Sequence, residues 1–304
     1  MNTHTGRSRL IPVPAMPAPD PSAGGQPAHV VAEPREGGRE RGVLVLGHRG
    51  APGPQRGENT VRAVEAALDR GADGVEVDVR LSADGVLLCS HDPVIRLPWG
   101  ERLVVATHPS AELRRATLRA GQRLAALGEV LDAVGSRAPA HLVVEAKPVA
   151  DAAAAVRTAR ALEAALAGAG AGTTVTVSSF DWRLLSVVRS ALAGSGVRTA
   201  ALGSVGAPAH LVLRGALDAG HHEAHLSLDA LLRAPHAARH ARQLGVGVTA
   251  WTVNGREDLR RVAGWGVDAV ITDNVVLARA ALQDVPALQD VPALPASSLG
   301  MTAC

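Results

Sequence analysis

The sequence predicts an α/β fold: a (β/α)8 TIM barrel with an extra hairpin strand after strand 2. Two observations carry this prediction. From residue 43 onward, short runs rich in β-branched residues alternate with stretches rich in Ala, Leu and Arg that have helical period. This alternation is typical of a parallel sheet with crossover helices. Polar residues also follow several of the runs, as expected where barrel strands end at the catalytic face.

The elements follow in order along the chain. Eight segments are expected to form the barrel strands: residues 43–46, 74–79, 142–145, 174–177, 199–202, 224–228, 247–251 and 268–272. Helices are expected between most of them, for example at residues 60–70, 151–167, 182–192, 228–244 and 257–265. Thr60 and Asp181 are candidate N-caps, because their side-chain oxygens accept hydrogen bonds from free amides of the first helical turn.

One further strand, residues 86–90, does not fit the alternation, since only residues 82–85 separate it from the second strand. A parallel crossover needs about a dozen residues or more, so the pair is expected to be an antiparallel hairpin with Asp-Gly at its turn. A two-residue turn pairs Asp78 with His91, and a four-residue turn pairs Glu76 with His91. In either register, His91 shares a face with both carboxylates.

Composition limits the classes of function. At 304 residues the chain is long enough for one large barrel, and 47% of its residues are apolar although only 2% are aromatic. The 31 basic and 29 acidic residues are interspersed, with no basic stripe and no aromatic platform, so we expect no nucleic-acid partner. Cys89 and Cys304 have no paired metal or redox spacing, which is consistent with a reducing compartment.

The two ends of the chain are expected to lie outside the barrel domain, which we place at residues 43–281. Residues 1–42 have no apolar stretch of the kind a secretory signal needs and are expected to form a disordered leader. Residues 282–304 contain a near-perfect duplication and are expected to form a flexible tail. Because no apolar run is long enough to cross a bilayer, we expect a cytoplasmic protein without a membrane span.

Reactive side chains fall at the ends of separate predicted strands. Carboxylates hold hard divalent cations such as Mg²⁺ and Ca²⁺, histidine transfers protons near neutral pH, and arginine matches the geometry of phosphate. A barrel would bring such residues together at one end. The strand-end residues are His48 and Arg49, Glu76 and Asp78, Glu145 and Lys147, Ser178 and Ser179, Trp251 and Asn254, and Asp273.

Six short motifs give the chain a specific resemblance. It resembles the glycerophosphodiester phosphodiesterases, a metal-dependent family of TIM barrels, over roughly residues 43–280. The resemblance rests on motifs that occur in the family's order: His48-Arg49-Gly50, Glu58-Asn59-Thr60, Glu76-Val77-Asp78, His91-Asp92, Glu145-Ala146-Lys147 and Trp251-Thr252-Val253-Asn254.

This resemblance implies hydrolysis of glycerophosphodiesters to sn-glycerol 3-phosphate and an alcohol, with one divalent cation, Mg²⁺ or Ca²⁺. It also implies attack by a neighbouring glycerol hydroxyl, through a cyclic phosphate. The implied roles are acid-base catalysis for His48 and His91, metal binding for Glu76, Asp78 and Glu145, phosphate binding for Arg49 and Lys147, closure of the site by Glu58, and an apolar wall made by Trp251 and Phe180.

Some features leave alternatives open. Gly57 stands where the family usually has proline, and residues 93–99 replace the usual segment after the His-Asp pair, which affects substrate preference more than catalysis. Glu145 and Lys147 would also suit a simple ion pair within the barrel.

The competing functions are a phospholipase D of the sphingomyelinase D type, acting on lysolipids, and a barrel that binds ligands without catalysis. Neither the preferred alcohol nor the oligomeric state can be predicted.

Overall fold

The structure is a computed structural model that describes residues 42–54, 56–97, 99–115 and 123–283. All of these belong to one compact unit, Glu33–Cys304. The predicted leader, apart from Gly42, and the predicted tail beyond Gln283 lie outside the described residues.

Eight parallel strands of the described chain close into a barrel, which confirms the predicted fold. In chain order the strands are β1 (Leu44–His48), β2 (Gly74–Leu81), β3 (Leu87–Cys89), β4 (Val94–Arg96), β5 (Arg102–Val104), β6 (Ala140–Ala146), β7 (Thr173–Ser179), β8 (Arg198–Leu202), β9 (Glu223–Ser227), β10 (Gly247–Trp251) and β11 (Ala269–Thr272). Around the barrel the order is β1, β2, β6, β7, β8, β9, β10 and β11, and β11 pairs with β1 to close it. The extra strand β3 pairs antiparallel with β2.

Helices follow most barrel strands. They are α1 (Val61–Asp69), α2 (Ser110–Arg115), α3 (Leu127–Gly135), α4 (Ala152–Leu166), α5 (Trp182–Ala191), α6 (Ala209–Asp218), α7 (Leu228–Arg233), α8 (Ala237–Gln243), α9 (Arg256–Trp265) and α10 (Val275–Leu282). The predicted N-caps are confirmed, because Thr60 accepts from the amide of Ala63 and Asp181 accepts from the amides at the start of α5.

The single helix predicted over residues 228–244 is wrong. The structure has two helices there, α7 and α8, and the break falls at Ala234, whose backbone φ is −139° and ψ is 69°. Pro235 follows, and proline disfavours the helical conformation of the residue before it.

The barrel has an outer and an inner core, and the alternation of β2 shows how they differ. Val75, Val77 and Val79 are buried in the large cluster that packs against the helices. Glu76 and Asp78 lie between them in sequence and therefore point to the other side, into the barrel. The apolar part of the interior is small and includes Leu46 of β1, Val143 of β6 and Ile271 of β11.

Both registers predicted for the hairpin are wrong. The structure pairs Val79 with Cys89 and Leu81 with Leu87, which leaves a five-residue connection. Ser82 closes this connection, since its backbone amide and hydroxyl both donate to the carbonyl of Val86. In this register His91 would face away from the carboxylates, but the ladder ends at Cys89 and frees the following residues to turn inward.

The segment after β3 forms a small satellite of the barrel that the strand pattern did not predict. β4 and β5 pair as a short antiparallel hairpin, and α2 follows. Their apolar side chains make a separate core that includes Leu88, Ile95, Leu103, Leu113 and Leu124. This satellite therefore anchors the chain on either side of His91.

Candidate active site

A cavity of about 340 Å³ lies at the carboxyl ends of the barrel strands. This is within the usual range for small-molecule sites, which is roughly 300 to 1,000 Å³. Of the residues predicted for the site, all but Glu58 and Asp78 line it. The lining residues are His48, Arg49, Glu76, His91, Glu145, Lys147, Ser178, Phe180, Leu202, His225, Trp251, Thr252 and Ile271.

Three buried carboxylates form the charged side of the site. Glu76, Asp78 and Glu145 each offer an oxygen, and these three oxygens lie within 4.8 Å of one another. Strand pairing explains the cluster, because Asp78 lies directly beside Glu145 on the neighbouring strand and Glu76 is two residues earlier on the same face. Hard divalent cations bind such sets of oxygen ligands.

Lys147 lies among these carboxylates. Its Nζ atom is 2.6 Å from Oδ1 of Asp78 and 2.5 Å from Oε1 of Glu145. The ion pair between Glu145 and Lys147 is therefore present. It does not neutralise the cluster, because Lys147 is shared between Asp78 and Glu145, and Arg49 lies beside Asp78 and also pairs with Glu58.

The charge of the Glu76 carboxylate is only partly compensated by its neighbours. Its Oε1 atom is buried and has no hydrogen-bond partner among the residues that the structure describes. Burial, together with the negative charges of Asp78 and Glu145, raises the pKa of Glu76 well above its usual value. Burial and the negative charge of Asp78 raise the pKa of Glu145, although Lys147 opposes them. A divalent cation would relieve both effects, so the residues fit a metal site.

The chain after β1 is held against the carboxylates by backbone contacts. Arg49 has a φ of 54°, in the left-handed region that non-glycine residues seldom adopt. In this conformation its amide donates to Oε2 of Glu76 at 3.0 Å, and its Nε atom lies 3.3 Å from Oδ2 of Asp78. Strained residues of this kind concentrate at functional sites.

Glu58 contacts the site only through Arg49. Both of its carboxylate oxygens accept from Nη1 of Arg49 at 3.0 Å. Burial lowers the pKa of the Arg49 guanidinium, but Asp78 and Glu58 more than reverse this and the net pKa is raised. Glu58 is thus placed to orient Arg49 rather than to line the cavity.

Asn59, the middle residue of the Glu-Asn-Thr motif, has a role that the sequence did not reveal. Its Nδ2 donates to Oδ2 of Asp78 at 2.7 Å, and its Oδ1 accepts from the Asp78 amide at 2.9 Å. Asn59 is buried and has a φ of 56°. The loop thereby fixes the Asp78 carboxylate, whose pKa is lowered because Lys147, Asn59 and Arg49 outweigh the effect of burial.

A chain of hydrogen bonds orients His48. Its Nδ1 lies 2.6 Å from Oδ1 of Asp273, and Oδ2 of Asp273 accepts from Nδ2 of Asn254 at 2.6 Å. The hydrogen bond from His48 is the main cause that lowers the pKa of Asp273. An ionised carboxylate only accepts, so Nδ1 carries a proton and Nε2 of the neutral ring is available as a base.

This contact depends on closure of the barrel. Asp273 follows β11 and His48 ends β1, and the residues just before them, Thr272 and Gly47, are paired across the two strands. The strand-end pattern singled out Asp273 and Asn254, but it did not reveal that Asp273 contacts His48 and that Asn254 holds Asp273.

His91 has a simpler and more exposed support. Its Nδ1 lies 2.8 Å from Oδ1 of Asp92, and the Asp92 side chain is 72% exposed. The carbonyl of His91 accepts two hydrogen bonds from the guanidinium of Arg80. These backbone contacts hold His91 at the mouth of the cavity, on the side where the hairpin leaves the barrel.

The opposite side of the cavity is largely apolar. Phe180 and Trp251 meet edge to face, with ring centroids 5.5 Å apart, and both line the cavity. Leu202 lines the same side of the cavity. Phe180 and Trp251 therefore present apolar surface to the cavity, and Trp251 is at once a packed residue and a cavity residue.

Comparison with known proteins identifies the family of the chain. A model of the glycerophosphoryl diester phosphodiesterase family matches residues 48–277. The chain belongs to this family. As a family member it is a phosphoric diester hydrolase, as the six motifs predicted.

Individual relatives agree with the family assignment. A glycerophosphodiester phosphodiesterase from Caldanaerobacter subterraneus subsp. tengcongensis is 27% identical over 76% of this chain and 94% of its own length. A solved glycerophosphodiester phosphodiesterase from Thermotoga maritima is 27% identical, with a TM-score of 0.63, and covers 78% of this chain and 97% of its own.

One neighbour was solved with a bound product. It is a phosphodiesterase from Oleispira antarctica in complex with sn-glycerol 3-phosphate, with a TM-score of 0.69 over 79% of this chain and 96% of its own. It is 21% identical, so the likeness concerns the fold. Among the described residues, no helix has both the length and the apolar character needed to cross a membrane.

Proposed function

We propose that this family member hydrolyses glycerophosphodiesters to sn-glycerol 3-phosphate and an alcohol, with the help of one divalent cation, Mg²⁺ or Ca²⁺. One observation carries the proposal: two histidines and two carboxylates, Glu76 and Glu145, border the same cavity, and Asp78 lies beside them in the buried carboxylate cluster. The family supports hydrolysis of the diester, and the residue roles below are our assignment.

The charges of the site suit a phosphodiester monoanion. Glu76, Asp78 and Glu145 would hold the cation; each carboxylate has about four acceptor sites, so the contacts to Lys147 leave capacity for a metal. Bound there, the cation would supply Lewis-acid polarisation of the phosphoryl group. The cation would also offset the charges of the carboxylates, which would otherwise repel the substrate monoanion. Arg49 and Lys147 then bind the phosphate oxygens.

His48 and His91 are the acid-base pair of the proposal. In each ring Nδ1 is bound to a carboxylate, which leaves Nε2 to exchange a proton with the substrate. One histidine removes the proton of the attacking hydroxyl or water, and the other protonates the departing alcohol oxygen. Each of these proton transfers typically contributes about 10² to 10⁴ in rate.

The attacking group in our proposal is the neighbouring hydroxyl of the glycerol half. Its attack forms a cyclic phosphate and releases the alcohol, and water then opens the ring to give glycerol 3-phosphate. An intramolecular attack gains rate from proximity. Phosphorus NMR of a slowed variant is the direct test, and the absence of a cyclic intermediate would contradict this step.

The test of the function is release of sn-glycerol 3-phosphate from a panel of glycerophosphodiesters with Mg²⁺, Ca²⁺ or a chelator. We expect cation-dependent release that falls by about 10² or more in His48→Ala and in His91→Ala. Lysolipids form a second arm of the panel. Turnover of lysolipids alone would favour the phospholipase D reading, and metal binding without any turnover would favour a binding barrel.

A leaving-group comparison separates the two histidines. A p-nitrophenyl ester of glycerol 3-phosphate needs little protonation of its leaving group, whereas a choline or ethanolamine ester needs much. The histidine that acts as the acid is therefore the one whose alanine variant is rescued by the p-nitrophenyl ester. If neither variant, or both, were rescued, the division of roles between His48 and His91 would be wrong.

A further inference from the structure

The β4–β5 hairpin of the satellite carries two arginines that lie directly opposite each other on its exposed face. Arg96 pairs with Arg102 across the two strands, and both side chains are exposed. The other face is packed, since the neighbouring cross-strand pair, Ile95 and Leu103, belongs to the core of the satellite. Like charges directly opposite each other destabilise a strand pair. The fold alone therefore does not explain why two arginines stand here.

No carboxylate of the described chain compensates these two charges. Neither Arg96 nor Arg102 forms a hydrogen bond or an ion pair with another residue that the structure describes. Glu101 is the one acidic residue between positions 94 and 104, and its Oε2 atom accepts from Nε1 of Trp99 at 3.0 Å. Two exposed arginines without a partner in the chain favour an anionic partner outside it, because contacting surfaces tend to carry complementary charges.

Trp99 adds an apolar group at the turn of the same hairpin. It is 66% exposed, whereas the other aromatic residues of the chain, Phe180, Trp182, Trp251 and Trp265, are half-buried. Tryptophan favours the boundary between water and lipid, where its ring contacts apolar groups while its N–H stays near water. Anionic lipids attract arginine at the same depth. An exposed tryptophan beside two unpaired arginines therefore fits the surface of an anionic bilayer.

The size of this face favours a lipid surface over a protein partner. A stable protein complex typically requires about 800 Å² from each side, which is more than one face of two three-residue strands provides. A bilayer needs no shaped counterpart, so it can accept a single ring beside two cations.

We infer that the exposed face of the β4–β5 hairpin, formed by Arg96, Trp99 and Arg102, is a docking surface for an anionic lipid bilayer. β4 begins at Val94, three residues after His91, which lies at the mouth of the cavity. A docked hairpin would therefore keep the mouth of the cavity close to the lipid. This inference is independent of the proposed function, because it needs no step of the hydrolysis.

The test is binding of the full chain to vesicles of phosphatidylcholine alone or of equal parts phosphatidylcholine and phosphatidylserine. Bound protein is measured by sedimentation at millimolar lipid with a chelator present, because a contact this small binds weakly. We expect binding to the mixed vesicles only, and its loss at high salt. Each arginine should contribute about fivefold, so the double variant Arg96→Gln/Arg102→Gln should lower the partition coefficient about 30-fold. Trp99→Ala should lower it about tenfold or more.

A matched double variant separates docking from a general effect of net charge. Arg214 on α6 and Arg239 on α8 are also exposed, and these helices pack beside β8, β9 and β10, away from β2 and β3. Arg214→Gln/Arg239→Gln removes the same charge and should bind mixed vesicles like the native chain. Equal losses in the two double variants would overturn the inference. A lower melting midpoint in Arg96→Gln/Arg102→Gln would also overturn it, because it would give the arginines a structural role.

Tryptophan fluorescence reports whether the hairpin itself meets the lipid. On mixed vesicles the emission of the native chain should shift to shorter wavelength and be quenched by brominated acyl chains, and Trp99→Ala should lose both changes. Binding without these changes, or binding that excess sn-glycerol 3-phosphate abolishes, would place the lipid elsewhere and overturn the inference. Hairpin-dependent binding to polyglutamate but not to vesicles would assign the face to an acidic protein and overturn it too. No readout uses turnover, so a failure of the proposed hydrolysis is distinguishable from a failure of docking.

Discussion

The contact between His48 and Asp273 gives the sharpest test of how the site works. The perturbation is Asp273→Asn, which keeps the size of the side chain and removes one of two acceptor oxygens. Asn254 cannot adapt, because its Oδ1 already accepts from the Asp273 amide at 2.9 Å and from Oγ1 of Thr272 at 3.0 Å. Its Nδ2 therefore still requires an oxygen, and the new amide must turn its NH2 group towards His48.

The consequence for His48 is a change of tautomer. An NH2 group donates, so Nδ1 must lose its proton and Nε2 must gain one, which removes the free base from the cavity. A hydrogen bond to a charged group contributes about 1.5–3 kcal/mol, which corresponds to about a 10- to 150-fold change in rate. We expect kcat to fall by this factor with little change in KM, because Asp273 does not touch the substrate in our proposal.

The assay is steady-state release of glycerol 3-phosphate at saturating cation. Asp92→Asn is the matched control, since Asp92 makes the same type of contact with His91. Asp92 is 72% exposed, whereas Asp273 is 48% exposed and bound to Asn254. Exposed pairs contribute about 0–1 kcal/mol, so the loss in the control should stay below about fivefold. Equal losses in the two variants, or a loss below threefold in Asp273→Asn, would refute the reasoning.

Three further outcomes are expected. Without cations, the raised pKa of Glu76 makes the folded protein less stable as the pH rises from the pKa of Glu76 in the unfolded chain towards its pKa in the folded protein. A Ca²⁺ concentration of about 100 times the Kd at pH 8 should therefore stabilise the native protein by about 2.7 kcal/mol at that pH. The same concentration should stabilise it less at pH 5 and should stabilise Glu76→Gln least, and a shift in Tm that does not depend on pH would contradict this. Asn59→Ala should lower the free energy of unfolding by about 1–3 kcal/mol in urea melts, because it leaves Asp78 without two hydrogen bonds, and a loss below 0.5 kcal/mol would contradict that account. Gly50→Ala should also destabilise the protein, since its φ is 84° and an added Cβ would lie 2.5 Å from the Ala63 carbonyl carbon; an unchanged melting midpoint would count against it.

The strand pattern and the six motifs were enough to predict the barrel and most of the cavity. Strand ends such as His48, Glu145 and Trp251 line it as expected. This part was accessible because hydrophobic alternation sets which side chains point inward, and a closed parallel barrel gathers the strand ends at one face.

Some local predictions were wrong because a side-chain contact or a proline outweighed the pattern on which they rested. The hairpin register failed because Ser82 closes a longer connection than either turn considered. Helix 228–244 failed because the helical period extends through Pro235 although the backbone does not. Glu58 pairs with Arg49, a contact that the motif did not reveal, and its role in closing the site stays a prediction.

By itself, the sequence determined the fold class, the family and the chemical types of the site residues, because these follow from periodicity and from the order of short motifs. Only the tertiary structure decided which side chains are hydrogen-bond partners. It placed Asp273 beside His48 and Asn59 beside Asp78. The residues of these pairs are 225 and 19 positions apart in sequence, and barrel closure and side-chain packing bring them together, so no local pattern encodes their hydrogen bonds.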